Sequence, residues 1–155
     1  MSYQTTYRPP GEGDELYSVD AAITVKCRAA DTGGTYEVFE VDMPRGVGVP
    51  PHAEPWPKAF YVLHGRMAVR SGDQAYELGP GGFVTVPPGA ANTFRVLTPA
   101  VKFLAFSLGE GMGGFFADVD RTAPRDASLE ELAPLMQDVL TRHGVTFVDE
   151  PAAAP

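Results

Sequence analysis

His52, Glu54 and Lys58 fall within seven residues of one another, in "PHAEPWPK". An imidazole that titrates near neutrality, a carboxylate and an amine form a general acid–base set. Such a set suits proton transfer, enolisation, dehydration or ring closure. Burial in an apolar site can lower a lysine pKa by up to about 3–5, and a neighbouring Glu54 would oppose that. Asn92, further along, can donate a hydrogen bond to a developing oxyanion. These residues act together only if the backbone gathers them. Along a regular strand the three share one face, but the four residues from Glu54 to Lys58 span about 13 Å. Pro55 and Pro57 cannot serve a regular ladder, so "EPWP" is predicted to bend and to bring His52, Glu54 and Lys58 around one point.

The same residues raise the question of a metal. His52 and Glu54 can ligate. The Asn92 amide oxygen is a poor ligand for a transition metal, and a protonated Lys58 puts positive charge where a cation would sit. Catalytic metal sites normally supply three protein ligands. The expectation is therefore no metal cofactor; if one divalent transition metal is bound, its ligands are His52 and Glu54. His64 is a further imidazole, but its place beside Gly65 reads as a surface turn.

The elements that must position these groups are short β runs broken by turn residues. From Ala21 to Leu108 they include "AITVKCR", "TYEVFEVDM", "KAFYVLHG", "RMAVRSG", "GFVTVP", "NTFRVL" and "VKFLAFSL". Gly, Pro and Asp stand in the breaks, where tight turns need them. Strands at such spacing imply an all-β sandwich or barrel. Residues 1–20 read as an N-terminal arm, 21–108 as the barrel, and 109–155 as a lid-like loop, a C-terminal helix and a tail. The loop is "GEGMGGFFADVDRTAPRDA". The helix is "SLEELAPLMQDVLTRHG", with Ser128 and Glu131 as a capping box. Leu129, Leu132, Met136, Val139 and Leu140 lie on one helical face. Pro134 either kinks this helix or marks where it becomes regular. His143 reads as a last-turn cap and Gly144 as the C-cap. "VTFV" reads as a short added strand.

The chain has 155 residues and a net charge of -8. That length suits one domain with a core. The negative charge and the lack of a basic patch exclude nucleic acid as a partner and disfavour an anionic membrane surface. Cys27 is the single cysteine, so no intrachain disulfide forms, and it reads as a packed core thiol. The first residues, "MSYQTTYRPPGEGDE", have no apolar core for a secretory signal, and no apolar run of about 18 residues occurs. The default location is the cytoplasm.

Two motifs then carry a resemblance. Gly46, five residues, His52, one residue, Glu54, three residues, Lys58, six residues and Gly65 match the register of the first motif of the cupin superfamily, G-x5-H-x-H-x3-E-x6-G. The second His is replaced by Glu54 and the Glu by Lys58. Gly81, Pro87, Gly89, Asn92 and Val96 follow the second motif, G-x5-P-x-G-x2-H-x3-N, with its His now Asn92 and its Asn now Val96. Fifteen residues separate the two, and the chain resembles bacterial quercetin-dioxygenase-like monocupins with an altered metal site. The resemblance implies a cupin-type double-stranded β-helix, or jelly-roll, barrel with a C-terminal helix, often homodimeric. Trp56, Phe60, Tyr61, Phe94, Phe106 and Phe115, with Asn92, are the candidates to line a ligand site. Met112 and Phe116 could help close its mouth. They favour an apolar, aromatic or polyketide-like secondary metabolite over a sugar phosphate. Three functions stay open: a metal-independent acid–base enzyme (isomerase, cyclase or lyase) using His52, Glu54 and Lys58; a metal-dependent dioxygenase similar to quercetinases; and a non-catalytic ligand-binding cupin.

Overall fold

The computed structural model describes residues 3–18, 21–46 and 48–148. In chain order the strands are β1 (Asp14–Ser18), β2 (Ala21–Cys27), β3 (Tyr36–Pro44), β4 (Gly48–Ala53), β5 (Lys58–His64), β6 (Met67–Ser71), β7 (Gln74–Leu78), β8 (Phe83–Val86), β9 (Asn92–Val96), β10 (Ala100–Leu108) and β11 (Thr146–Phe147). Two helices, α1 (Gly111–Thr122) and α2 (Leu129–His143), follow β10. Among the described residues the strands form two sheets, in the orders β1-β2-β3-β10-β5-β8 and β11-β4-β9-β6-β7. Every named pairing is antiparallel. The expected jelly-roll barrel is the fold, and "VTFV" supplies β11.

Period-two alternation fixes which side chains face inward. β3 buries Glu37, Phe39, Val41 and Met43, while β10 buries Val101, Phe103, Ala105 and Ser107. Phe60, Phe94 and Phe103 meet edge-on inside, with ring centroids 5.0–6.0 Å apart. Fully burying an aromatic or large aliphatic side chain contributes about 1.5–3 kcal/mol, so this inner layer holds the barrel shut.

The same alternation corrects two expected ligand contacts. Tyr61 is 40% exposed, because it has the opposite parity to buried Phe60. Phe106 lies opposite Val38 and Ala59 on the outer face of β10, out of step with Phe103 and Ala105. Neither lines the interior. Cys27 is half-buried and lies outside the core, because the ladder slips between Val25 and Cys27. His64 is exposed, as its turn position implies.

Three further boundaries differ from the sequence reading. The N-terminal arm carries β1, paired along its length with β2. The lid-like loop is instead helix α1. Met112, Phe115, Phe116 and Val119 recur at i, i+3, i+4 and i+7, an apolar helical stripe. Met112 and Val119 are buried, and Phe115 and Phe116 pack on the core; this packing outweighs the helix-weakening glycines. Helix α2 starts at the Ser128/Glu131 capping box and runs through Pro134, so its regular part begins before the proline. Neither helix is long and apolar enough to cross a membrane.

One turn ties the barrel to its interior chemistry. Gly89 has φ of 78°, with open space where a Cβ would stand, and its N–H donates to the Glu54 carbonyl at 2.8 Å. Gly89→Ala is expected to cost about 1–2 kcal/mol, the penalty of a left-handed L-residue, without a clash. Urea unfolding of the two proteins measures it.

Candidate active site

The bend at Pro55 and Pro57 has a topological cause. β4 belongs to the smaller sheet and β5 to the larger, and residues 54–57, outside both strands, carry the chain between them. His52 therefore enters from one sheet and Lys58 from the other, with Glu54 in the crossover. All three are buried, as is Asn92, which lies opposite His52 on β9.

Glu54 is the hub. Its Oε2 accepts from His52 Nε2 at 3.0 Å, and its Oε1 accepts from Lys58 Nζ at 2.8 Å and from Asn92 Nδ2 at 2.7 Å. His52 Nδ1 lies 2.8 Å from the Pro50 carbonyl. Both imidazole nitrogens thus face acceptors, so the ring satisfies them fully only with a hydrogen on each. Asn92 Nδ2 also faces the carbonyls of His52 and Ala90 at 3.2 and 3.1 Å. Its amide donors are engaged by protein oxygens, so Asn92 holds Glu54 in place rather than reaching for a ligand.

Burial alone would raise the Glu54 pKa. The His52 hydrogen bond and the Lys58 charge overcome it and hold the carboxyl at about 2. Burial draws Lys58 below the ordinary lysine range, against the pull of Glu54. The ammonium sits 5.3 Å from the Phe60 ring centroid, a cation–π contact. Lys58 has three N–H donors and, among the described residues, one carboxylate partner. Trp56, also buried, has its Nε1 without a hydrogen-bond partner among the described residues. Of the other aromatic candidates, Phe94 packs into the core with Phe60, and Phe115 on α1 meets Trp56 at 5.7 Å.

Two inward polar residues escaped the sequence reading. Ser107 on β10 lies opposite Glu37 on one side and Lys58 on the other, forming a polar rung across three strands. Ser107 Oγ donates to the Pro57 carbonyl at 2.7 Å. The signal was available: Glu37 shares parity with Phe39, Val41 and Met43, and Ser107 with Phe103 and Ala105.

The family profile described as "Cupin domain" matches residues 39–106. Quercetin 2,3-dioxygenase of Bacillus subtilis is 29% identical over 87 residues, 56% of this chain and 26% of that protein. The chain thus spans about a quarter of that relative's length. The polyketide cyclase RemF from Streptomyces resistomycificus superposes with a TM-score of 0.58 at 20% identity, over 68% of this chain and 80% of that one. KdgF from Halomonas sp. gives 0.57 at 16% identity, over 71% and 94%. Oxalate decarboxylase of Bacillus subtilis, described through its Mn(II) centres, gives 0.59 at 11% identity, over 70% and 30%.

A metal centre in this fold requires lone pairs aimed at one point, and the residues here do not fit that demand. Both His52 nitrogens point at acceptors, both Glu54 oxygens are taken, and the Lys58 ammonium stands 2.8 Å from the carboxylate. Among the described residues, no group of three or more His, Cys, Asp or Glu could hold an ion. All four grouped side chains lie within the matched residues 39–106, and the barrel around them has the jelly-roll order. Residues 39–106 match the cupin domain, and the barrel they form is similar in sequence to quercetin 2,3-dioxygenase.

Proposed function

We propose that this cupin is a metal-independent enzyme that moves protons on a small apolar, aromatic or polyketide-like metabolite, as an isomerase, cyclase or lyase. The observation that carries this reading is Lys58: a buried ammonium with one carboxylate partner among the described residues and two further N–H donors. An oxygen of a bound molecule, such as a carbonyl, is the acceptor those donors suit. His52 Nε2, Glu54 and Lys58 Nζ form one hydrogen-bonded path of 3.0 and 2.8 Å. Lys58 Nζ delivers a proton to a substrate oxygen and, as the free amine, takes back the proton that the substrate gives up, while the Glu54 carboxylate, held by His52, keeps Nζ in place and stabilises the restored ammonium. The aromatic surroundings, Trp56 and Phe60 with Phe115 beyond Trp56, support an apolar substrate. The fold likeness to a polyketide cyclase is consistent with that class.

The test is turnover of a panel of hydroxylated aromatic ketones, quercetin included, by purified protein with and without oxygen and chelator. We expect products with the mass of the substrate or of the substrate less water, formed equally in all conditions. Lys58→Met should lower the rate by about 10²–10⁴-fold, the usual contribution of a positioned acid–base group. Oxygen uptake with both atoms in the product, or stoichiometric Fe, Ni, Cu or Mn in the active protein, would overturn this in favour of a dioxygenase. Ligand binding without conversion, unchanged by Lys58→Met, would leave a binding protein.

A further inference from the structure

A second set of groups lies along helix α1. Helix α1 leaves a cleft of about 500 Å³ against β2 and β3, with Val25 and Phe39 as apolar floor and Ala117 on its wall. Four polar side chains line it, Arg28, Glu37, Glu110 and His143. Glycines let the helix approach Glu37 and His143. A Cβ on Gly113 would fall 2.3 Å from Glu37 Oε1, and one on Gly114 would stand 3.8 Å from His143 Cε1. Gly113 N–H donates to Glu37 Oε2 at 2.9 Å.

His143 is held in one orientation. Its Nε2 bonds Asp118 Oδ2 at 2.9 Å, and Phe115 packs against the ring with centroids 5.7 Å apart. Asp118 is itself fixed by Arg142 at 2.9 and 3.1 Å and by Arg121. Hydrogen bonds from Arg142 and His143 hold its carboxyl at about 2, so it accepts the Nε2 hydrogen. That leaves Nδ1, which has no hydrogen-bond partner among the described residues. Glu37 is 4% exposed; burial, joined by repulsion from Glu110, raises its pKa against the Gly113 hydrogen bond. A protonated carboxyl is a donor, and a fixed imidazole with a free nitrogen is an acceptor. The cleft does not suit an anion, since Glu110 borders it and Arg28 is paired with Asp14.

We propose that this cleft is a second ligand site, adjoining the Lys58 cluster across the Ser107 rung, for a neutral hydroxylated aromatic ketone whose hydroxyl donates to His143 Nδ1 and whose carbonyl accepts from Glu37. The ring lies on Val25 and Phe39.

The experiment is a titration of the full-length isotope-labelled chain with para-hydroxyacetophenone, followed by amide NMR. Saturable shifts are expected at Gly113 and Gly114, in wild type and in Lys58→Met alike. Acetophenone, which lacks the hydroxyl, should bind about tenfold more weakly, the equivalent of one hydrogen bond. Para-hydroxybenzoate, an anion, should bind more weakly still. Ala117→Leu, which fills the cleft, should abolish the shifts; if it fails to fold, Gly114→Ala serves as the blocking variant, since its methyl makes only an ordinary contact with His143. The proposal is overturned if wild type shows no saturable shift, if the anion binds as well as the ketone, or if binding survives the folded blocking variant. Loss of binding in Lys58→Met with survival in Ala117→Leu would also overturn it, placing the ligand in the barrel instead.

Discussion

Lys58→Met is expected to destabilise the fold by about 3 kcal/mol, the lower end of the 3–5 kcal/mol for removing one partner of a buried ion pair. Methionine fits beside Phe60, so volume is not the cause. The cause is Glu54, left 7% exposed with a charge that has lost its ammonium. The lower end applies because His52 and Asn92 still donate to it. For a chain of this size the loss corresponds to a fall in Tm of roughly 6–12 °C. The double variant Glu54→Gln/Lys58→Met removes the stranded charge while keeping an oxygen for His52. It should recover at least about 1 kcal/mol over Lys58→Met alone. Denaturant unfolding of wild type, both single variants and the double variant closes the cycle. Strict additivity would show that the two side chains do not interact, and the site as described would not exist.

The barrel was legible because its signal is local and repeated. Alternation in "TYEVFEVDM" and "VKFLAFSL" assigns faces strand by strand, and glycine turns set the spacing. The cluster was legible for a different reason: two prolines between Glu54 and Lys58 forbid the regular strand that would hold them apart. What the sequence hid depends on register or on packing at a distance. The slip between Val25 and Cys27 is invisible without the partner strand, so Cys27 read as core. The stripe of Met112, Phe115, Phe116 and Val119 was masked by four nearby glycines. Only the barrel surface against which it packs makes α1 a helix. Tyr61 and Phe106 were misplaced by treating aromatic identity as a sign of cavity lining, when parity with Phe60 and Phe103 already put them outside. Asp118 could not be seen at all, because its partners Arg142 and His143 come from another helix.

Acid unfolding should report on the hub carboxylate. The Glu54 pKa is about 2 in the folded chain against an ordinary 4.5, so the unfolded chain takes up the proton first as pH falls. Its contribution is complete above pH 4.5 and is lost progressively as pH drops through about 2. At about 1.4 kcal/mol per pKa unit, this is about 3 kcal/mol in all. Asp118, also held at about 2, titrates in the same window with the same sign. Glu37 has the opposite sign: its pKa is raised, so its effect is a loss of stability as pH rises above 4.5, outside the acid window. The clean comparison is therefore made in an Asp118→Asn background. There, urea unfolding between pH 6 and 2.5 should show a steep fall with Glu54 present and a shallow one with Glu54→Gln, whatever their difference at neutral pH. Parallel curves would mean that the Glu54 proton is bound as readily in the native barrel as in the open chain, and the His52–Glu54–Lys58 path could not then hold its charge.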